Sequence, residues 1–341
     1  MPKIVLNFTD ERSRWAITPD ATDKIRSALP ADWHLHIIQS PVSSTGDGRG
    51  VSEELLAAAE GTEIYLGSGV PRDFFLKALP TLRWVHTGSA GVGAALFPEL
   101  VESDVVLTNS AGIHAPPMAE TVMGIMLHFA RGLDFAVRDQ LAGRWDQTAF
   151  GTLQSPVTEL AGATLGIIGY GGVGRAIARK ARAFDMRILA TRRAARPSDD
   201  GTEIVSGRAG LERMLRESDV VVITVPATTT TQRMIGAGEL ALLKPNAVLI
   251  NVARGTIIDE AALIDVLKQK RIRGAGLDVF EKEPLPGTSE LWQLPNVLIL
   301  PHVSATTPRF WERQSDLIIE NFQRYVRGET LRNVVDKKAG Y

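Results

Sequence analysis

The sequence predicts an α/β protein with two open parallel sheets, and two observations support this prediction. Short apolar runs alternate with amphipathic helix patterns in both halves of the 341-residue chain. This alternation is typical of parallel strands joined by helices on both faces of a sheet. A glycine-rich turn at residues 169–174 opens a second series of the same kind. Two such series in one chain indicate two sheets rather than one.

The first series forms the amino-terminal part of the chain. Its predicted strands are Lys3–Phe8, His34–Ser40, Glu63–Gly67, Leu82–Thr87 and Val105–Thr108. The helix patterns between them are Thr22–Leu29, Ser52–Ala59 and Arg72–Leu79. Pro116-Pro117 then suits a helix start, because proline is tolerated in the first helical turn. The apolar pattern from Met118 to about Leu141 predicts one long helix.

The second series follows a loop at residues 144–160. Its predicted strands are Leu165–Ile168, Met186–Ala190, Val220–Thr224, Ala247–Val252, Gly276–Val279 and Val297–Leu300. A final helix is predicted at Pro308–Tyr325. We therefore predict a first domain at residues 1–112, an inserted domain at residues 113–305, and a carboxy-terminal segment, 306–341, that returns to the first domain. Ligands of such sheets lie beyond the carboxyl ends of the strands.

The composition excludes several classes of function. The net charge of −1 argues against partners such as nucleic acid or an anionic membrane surface. The absence of cysteine excludes disulfides, thiolate metal sites and cysteine nucleophiles, and no metal-ligand spacing is present. The longest apolar stretch, near residues 122–130, is shorter than the roughly 20 residues that a membrane span needs. We expect a soluble, cytoplasmic protein.

The glycine turn predicts a dinucleotide site. Gly169 permits a tight turn after a strand, Gly171 permits close approach of a pyrophosphate, and Gly174 permits close packing of helix on strand. Gly172 and Val173 stand at the helix start, where the helix dipole favours phosphate. The strand, turn, helix and second strand together match a Rossmann βαβ unit. The alternative is a turn that only packs a helix closely.

The end of the second strand in this unit predicts which dinucleotide binds. An acid at this position accepts hydrogen bonds from the ribose hydroxyls of NAD. This chain instead has Thr191, Arg192 and Arg193, and a guanidinium can hold a phosphate through two hydrogen bonds. We expect NADP(H) to be preferred, with NAD(H) possible. The alternative is a pair of solvated surface arginines.

Three further residues, Arg254, Glu283 and His302, lie just after predicted strands, and Asp278 lies near the end of the predicted strand Gly276–Val279. A cation, a carboxylate and a histidine suffice to reduce a 2-oxo acid, since the arginine holds the substrate and the histidine, oriented by the carboxylate, donates a proton. Taken singly, each has an ordinary structural explanation, such as a turn cap or a solvated loop residue. Their joint placement favours an active site.

Four motifs occur in the order and spacing of the D-isomer-specific 2-hydroxyacid dehydrogenases, which the chain resembles over nearly its whole length. They are Leu165–Gly174, Asn251–Gly255, Gly276–Phe280 with Glu283-Pro284, and Leu300–His302. The resemblance implies a Rossmann dinucleotide-binding domain inserted in a flavodoxin-like substrate domain. It further implies a homodimer that reduces a small 2-oxo acid to a D-2-hydroxy acid.

The resemblance also implies a role for each matching residue. Arg254 would bind substrate, and Glu283 and His302 would form the acid–base pair. The substrate carboxylate would be held by backbone amides of a glycine-rich loop, here Ser89, Ala90, Gly91 and Val92. The residues that would contact the cofactor, besides the glycine turn and Thr191–Arg193, are Pro226, Ala253 and Asp278.

Two positions depart from the family, and one residue stays ambiguous. Many members have histidine at the position of Thr224, and members that use NAD have an acid at the position of Arg192. His86 precedes the glycine-rich loop and either lines the substrate pocket or lies in the core.

Two rival functions remain open at this stage. A phosphoglycerate or phosphite dehydrogenase would share the same triad, although residues 88–93 contain no basic side chain for a phosphate. A non-catalytic NAD(P)H-sensing protein, like the C-terminal-binding corepressors, would also retain it.

Overall fold

A computed structural model describes residues 1–10, 15–40, 50–152, 155, 157–193 and 197–340. The chain forms two compact units, one made of Met1–His114 with Thr307–Tyr341 and the other of Ala115–Thr306. Each unit has its own parallel sheet with helices, so the predicted α/β class with two open parallel sheets is confirmed. In the described part of the chain, no helix is both long and apolar enough to cross a membrane.

The sheet of the first unit has five parallel strands. They are β1 (Lys3–Asn7), β2 (His34–Ile37), β3 (Thr62–Gly67), β4 (Trp84–Thr87) and β5 (Val106–Asn109). Their spatial order is β2-β1-β3-β4-β5, the flavodoxin-like order. Successive side chains of a strand point to opposite faces, and here both faces are covered. Val5 and Tyr65 belong to one apolar cluster, whereas Ile4 and Ile64 belong to the other.

The first four helices of the first unit begin where the sequence offers caps or prolines. They are α1 (Pro19–Ser27), α2 (Glu53–Ala57), α3 (Arg72–Ala78) and α4 (Pro98–Glu102). Thr18 and Ser52 cap α1 and α2, because their hydroxyl oxygens accept the amides of Ala21 and Leu55. The short helix α4 was not predicted.

The sheet of the second unit has seven parallel strands. They are β6 (Thr164–Ile168), β7 (Arg187–Thr191), β8 (Glu203–Val205), β9 (Val220–Ile223), β10 (Val248–Asn251), β11 (Gly274–Leu277) and β12 (Val297–Ile299). Their order is β8-β7-β6-β9-β10-β11-β12, which is the Rossmann arrangement, with reversal of strand order between β6 and β9. The central strands are buried along their whole length. Only the short, half-exposed edge strand β8 was not predicted.

The second unit contains six α-helices among its described residues. They are α5 (Ala115–Ala130), α6 (Leu133–Leu141), α7 (Gly172–Arg182), α8 (Gly207–Glu217), α9 (Ala237–Leu240) and α10 (Glu260–Lys268). The prediction of one helix from Met118 to Leu141 was wrong. Gly132 has a φ of +64°, a left-handed conformation that glycine adopts without steric cost, and the chain changes direction there into α6.

The last helix, α11 (Phe310–Val326), belongs to the first unit. Its buried face includes Trp311, Ile318 and Phe322, as the apolar spacing predicts. Phe322 packs edge-on against Trp33, with ring centroids 5.0 Å apart. The same face also buries two amides and a hydroxyl, those of Gln314, Asn321 and Ser315. Buried polar groups of this kind require hydrogen-bond partners.

Candidate active site

The predicted site residues of the second unit follow strands of one parallel sheet, and therefore lie along its carboxyl edge. The glycine turn follows β6, Thr191 ends β7, and Thr224 follows β9. Arg254 follows β10, Asp278 and Glu283 follow β11, and His302 follows β12. This edge contains the reversal point between β6 and β9, the usual ligand position in such sheets.

Three of the four glycines in the turn are needed for different structural reasons. Gly169 has a φ of +103°, and a Cβ there would lie 2.7 Å from Val225 Cγ1. At Gly174 a Cβ would collide with the carbonyl oxygen of Gly169. At Gly171, by contrast, a Cβ would point into open space, which leaves room for a ligand against the backbone. The turn is therefore shaped by close packing on one side and is open on the other.

The start of α7 fits an anion. No side chain caps this helix, and the amides of Gly171, Gly172 and Val173 have no hydrogen-bond acceptor within the described residues. Unpaired amides at a helix start, together with the helix dipole, form an anion site. The backbone of this turn thus fits the pyrophosphate of a dinucleotide.

Two threonines hold the glycine turn from neighbouring strands. Thr224 Oγ1 donates to the carbonyl of Gly169 at 2.6 Å, and the amide of Gly169 donates to Thr191 Oγ1 at 3.2 Å. Thr224 occupies the position where many family members have histidine, and here its hydroxyl supports the turn.

The end of β7 carries two arginines, of which Arg192 is half-buried and Arg193 is exposed. The Arg192 guanidinium lies 5.8 Å from the centroid of the Tyr170 ring, and Arg175 lies 5.5 Å from the same centroid. The Tyr170 hydroxyl is hydrogen-bonded to Asp200 and to Thr202. Tyr170 is thus a buried aromatic ring, held through its hydroxyl, that lies within cation–π distance of two guanidinium groups.

His302 and Glu283 form a direct pair, with Nδ1 and Oε2 2.7 Å apart. The other carboxylate oxygen of Glu283 accepts the amide of Phe280 at 3.0 Å, so the carboxylate is fixed by its own loop. Both side chains remain partly exposed, at 47% for His302 and 34% for Glu283. The ring therefore has one nitrogen held and Nε2 available to a ligand.

The backbone at His302 is held by Asp278. His302 has a φ of +54°, which is uncommon for residues other than glycine. Its amide donates to the carbonyl of Asp278 at 2.9 Å. The buried carboxylate of Asp278 accepts the amides of Val303 at 2.7 Å and Ser304 at 3.0 Å. Asp278 thus fixes the turn that carries the histidine, while its contact with a cofactor stays a prediction.

Arg254 lies on the neighbouring loop, and its side chain is exposed. Its Nη1 donates to the carbonyl of Ala253 at 2.6 Å, and Asn251 Nδ2 donates to the carbonyl of Arg254 at 3.0 Å. At Gly255 any Cβ would overlap the backbone of Phe280. This glycine therefore lets the loop of Arg254 contact the loop of Glu283. Ala253 is buried and Pro226 is exposed.

The loop of residues 88–93 lies in the first unit and follows β4. Its carbonyls are paired within that unit. Ser110 N donates to the carbonyl of Ser89 at 3.1 Å, and Asn109 Nδ2 donates to that of Ala90 at 2.8 Å. Ser89 Oγ donates to the carbonyl of Gly91 at 2.7 Å.

The amides of this loop point the other way. In a planar trans peptide the C=O of one residue and the N–H of the next are antiparallel. Holding the carbonyls of residues 89–91 inward therefore turns the amides of Ala90, Gly91 and Val92 outward. These three amides have no acceptor within the described residues, and successive free amides form an anion-binding nest. Asn109 and Ser110, which hold two of these carbonyls, carry no sequence motif that predicts this role.

Comparisons with known proteins agree with this architecture. The family described as "D-isomer specific 2-hydroxyacid dehydrogenase, NAD binding domain" matches residues 123–304. A glyoxylate/hydroxypyruvate reductase B of Pectobacterium carotovorum is 37% identical over 289 residues, which cover 82% of this chain and 87% of that protein.

Two solved structures are similar over the whole chain. One is a D-isomer specific 2-hydroxyacid dehydrogenase from Xanthobacter autotrophicus in complex with NADPH and MES, with a TM-score of 0.81, 30% identity, and coverage of 100% of this chain and 99% of that one. The other is an NADPH-dependent glyoxylate/hydroxypyruvate reductase from Sinorhizobium meliloti in complex with NADP and sulfate, with a TM-score of 0.79, 27% identity, and full coverage of both chains. The chain belongs to the D-isomer specific 2-hydroxyacid dehydrogenase family and is an NAD(P)-dependent oxidoreductase acting on CH–OH groups.

Proposed function

We propose that this protein is an NADP(H)-preferring reductase that converts small 2-oxo acids, such as glyoxylate or hydroxypyruvate, to D-2-hydroxy acids. The His302–Glu283 pair, 2.7 Å apart at the same sheet edge as the glycine turn, is the observation that supports it most. The names of the relatives, glyoxylate and hydroxypyruvate reductases, favour the smallest 2-oxo acids as substrates.

His302 is the proposed proton donor. Its Nδ1 faces the Glu283 carboxylate, which orients the ring and directs Nε2 toward the keto oxygen of the substrate as the proton donor. The reduced nicotinamide, when bound, supplies the hydride. Arg254 presents an exposed guanidinium that can bind the keto oxygen or the carboxylate and stabilise the developing negative charge.

The amides of Ala90, Gly91 and Val92 are the proposed receptor of the substrate carboxylate. They are unpaired within the described residues. Three backbone amides suit a carboxylate with a single negative charge, which does not need a basic side chain as a partner. A phosphorylated substrate would gain more from lysine or arginine, which residues 88–93 lack. This composition favours a 2-oxo acid over phosphoglycerate.

The NADP(H) preference rests on the end of β7. Thr191, Arg192 and Arg193 provide no carboxylate that would repel a 2′-phosphate. Arg192 lies against the Tyr170 ring beside the glycine turn, where a guanidinium can pair with phosphate. The NADPH and NADP complexes of the two similar structures support the same preference.

A panel assay tests the proposal. Purified protein is offered glyoxylate, hydroxypyruvate, pyruvate, phenylpyruvate, 3-phosphohydroxypyruvate and, in the oxidative direction, phosphite, each with both cofactors. We expect the highest kcat/KM with glyoxylate or hydroxypyruvate and NADPH. A preference for the phosphorylated substrate or phosphite would favour the rival dehydrogenases. NADPH binding without turnover of any 2-oxo acid would favour a sensor.

We further infer a homodimer. Leu133, Val137 and Leu141 are all exposed, and their spacing of four residues places them on one face of α6. Trp145, beyond the end of this helix, is 92% exposed. An exposed apolar surface of this kind favours burial against a second copy of the chain. Light scattering after size-exclusion chromatography should give twice the mass of one chain, and a monomer mass would contradict the inference.

A further inference from the structure

A buried polar network lies within the first unit, directly before the 88–93 loop. His86, on β4, is fully buried. Its Nδ1 is 2.9 Å from Thr108 Oγ1, and its Nε2 is 2.8 Å from Gln314 Nε2 and 3.2 Å from Ser110 Oγ. Trp84 Nε1 also donates to Thr108 Oγ1 at 2.8 Å. The network thus connects β4, the end of β5 and helix α11.

The network accommodates a neutral histidine. With the amide nitrogen of Gln314 facing Nε2, Nε2 accepts and Nδ1 carries the ring proton that is donated to Thr108 Oγ1. Burial lowers the pKa of His86 to about 3, so the ring is neutral at working pH. His86 therefore has no proton to give in the reaction.

Ser110 joins this network to the loop. Its hydroxyl oxygen lies 2.8 Å from Gln314 Oε1 and 2.9 Å from the carbonyl of Thr87. Its backbone amide donates to the carbonyl of Ser89 at 3.1 Å. The side chain of Ser110 is thus held by α11 and β4, while its backbone holds the first inward carbonyl of the loop. That carbonyl belongs to the peptide whose N–H is the outward amide of Ala90.

We propose that His86 is a positioning residue for substrate binding. With Gln314 it fixes Ser110, and through Ser110 it keeps the amides of Ala90, Gly91 and Val92 directed at the substrate carboxylate. This inference rests on the proposed function, because it gives the 88–93 loop the role of carboxylate receptor. It assigns a role to a residue that touches neither the substrate nor the cofactor.

A positioning role for His86 and a role in core packing alone predict different kinetics for its variants. A packing defect lowers the melting temperature and the fraction of folded enzyme, but leaves the KM of folded molecules unchanged. A misdirected carboxylate receptor raises KM for every 2-oxo acid by the same factor, since all share the carboxylate. It leaves NADPH affinity unchanged, because the glycine turn belongs to the other unit.

The two conservative replacements of His86 form a matched pair. A glutamine amide reaches the place of Nε2 and can keep the contacts with Gln314 and Ser110. An asparagine amide reaches only the place of Nδ1 and keeps the contact with Thr108. We expect His86→Asn to raise KM for glyoxylate and pyruvate equally, by about tenfold, the cost of leaving one buried polar group unpaired. We expect His86→Gln to stay within about twofold of wild type.

Two further variants complete the experiment. Ser110→Ala removes the hydroxyl group that connects Ser110 to His86 and Gln314. This variant should raise KM as His86→Asn does. The double variant should show no further increase in KM, since the two residues act as one unit. Thr62→Val is the control. Thr62 is buried at the amino end of β3, where its hydroxyl donates to the carbonyl of Ala58 at 2.7 Å. Its loss should lower the melting temperature and leave KM unchanged.

The possible outcomes separate this inference from the proposed function. Wild-type protein that reduces no 2-oxo acid overturns the proposed function and this inference with it. Wild-type protein that reduces glyoxylate, beside a folded His86→Asn variant with wild-type KM, overturns the inference alone. If His86→Asn does not fold, Ser110→Ala decides by the same criterion. NADPH affinity, measured by fluorescence titration, should be the same in every folded variant.

Discussion

The glycine turn of the second unit and the 88–93 loop of the first unit make backbone amides available to a ligand in two different ways. Both present backbone amides at the carboxyl end of a strand, and these amides have no acceptor among the residues that the structure describes. The glycine turn obtains its amides from the start of a helix, and a few neighbouring glycines make the necessary close packing possible. The 88–93 loop obtains them because its carbonyls are held by the Asn109 side chain and the Ser110 backbone amide, both distant in sequence, and by its own Ser89 hydroxyl.

The two proposed anion sites therefore differ in how far apart in sequence the residues that form them lie. The glycines of the turn lie within six residues of each other, so a short motif reveals the site, although Thr191 and Thr224 also support the turn from neighbouring strands. The 88–93 loop depends on Asn109, Ser110, His86 and Gln314, which three separate elements contribute. Four predictions test this contrast between the two sites.

The largest effect should come from a residue that belongs to neither amide site. His302→Asn suits the left-handed backbone at this position, φ +54°, and replaces Nδ1 but not Nε2. We expect kcat to fall by about 100- to 10,000-fold, the usual contribution of a general acid. NADPH affinity and substrate KM should change little. A rate near that of wild type would contradict the proton-donor assignment.

The second prediction concerns Arg192, a charged side chain beside the glycine turn. The 88–93 loop contains no basic side chain. Arg192→Asp should lower kcat/KM with NADPH relative to NADH by about 10- to 100-fold, since hydrogen bonds to charged groups contribute 1.5–3 kcal/mol. Arg216→Asp, an exposed arginine on α8, changes the net charge equally and should leave this ratio unchanged. An unchanged ratio in Arg192→Asp would contradict the 2′-phosphate assignment.

The third prediction compares glycines in the two sites. Gly174→Ala would push a methyl group against the carbonyl of Gly169, so we expect NADPH affinity to fall by about tenfold or more as the helix start moves. At Gly93, nothing lies within 4 Å of an added Cβ, so Gly93→Ala should keep KM for glyoxylate within about twofold. If Gly93→Ala impaired glyoxylate binding as much as Gly174→Ala impairs NADPH binding, the proposed difference between the two sites would be contradicted.

The smallest effect should be a pH dependence of stability. Burial lowers the pKa of His86 to about 3, whereas an unfolded chain takes up this proton near pH 6.5. The unfolded state therefore binds more protons below that pH, and stability should fall as pH decreases, by up to about 1.4 kcal/mol per pH unit. Urea unfolding at pH 5 and pH 7 should show a smaller decrease in His86→Gln. An equal decrease would indicate that His86 is solvated.

Most of the sheet architecture was predictable from sequence, because buried parallel strands are continuous apolar runs. The wrong or missing predictions of helices and strands occurred where the local sequence pattern was weak or where the backbone conformation overrode it. The predicted helix from Met118 to Leu141 ends early because Gly132 adopts φ +64°, and an apolar periodicity cannot distinguish one helix from two consecutive helices. Strand β8 is short and half-exposed, so it has little apolar pattern.

The family, the nicotinamide-dependent chemistry and the order of the motifs could be inferred from the sequence, because each motif consists of residues close together in the chain. The contacts by which Asp278 holds the turn of His302, Gly255 lets two loops touch, and the amides of residues 90–92 point outward became visible in the folded chain. Each of these depends on hydrogen bonds or close contacts between segments far apart in sequence. Such contacts leave no periodic pattern, and they exist only once the strands have brought those segments together.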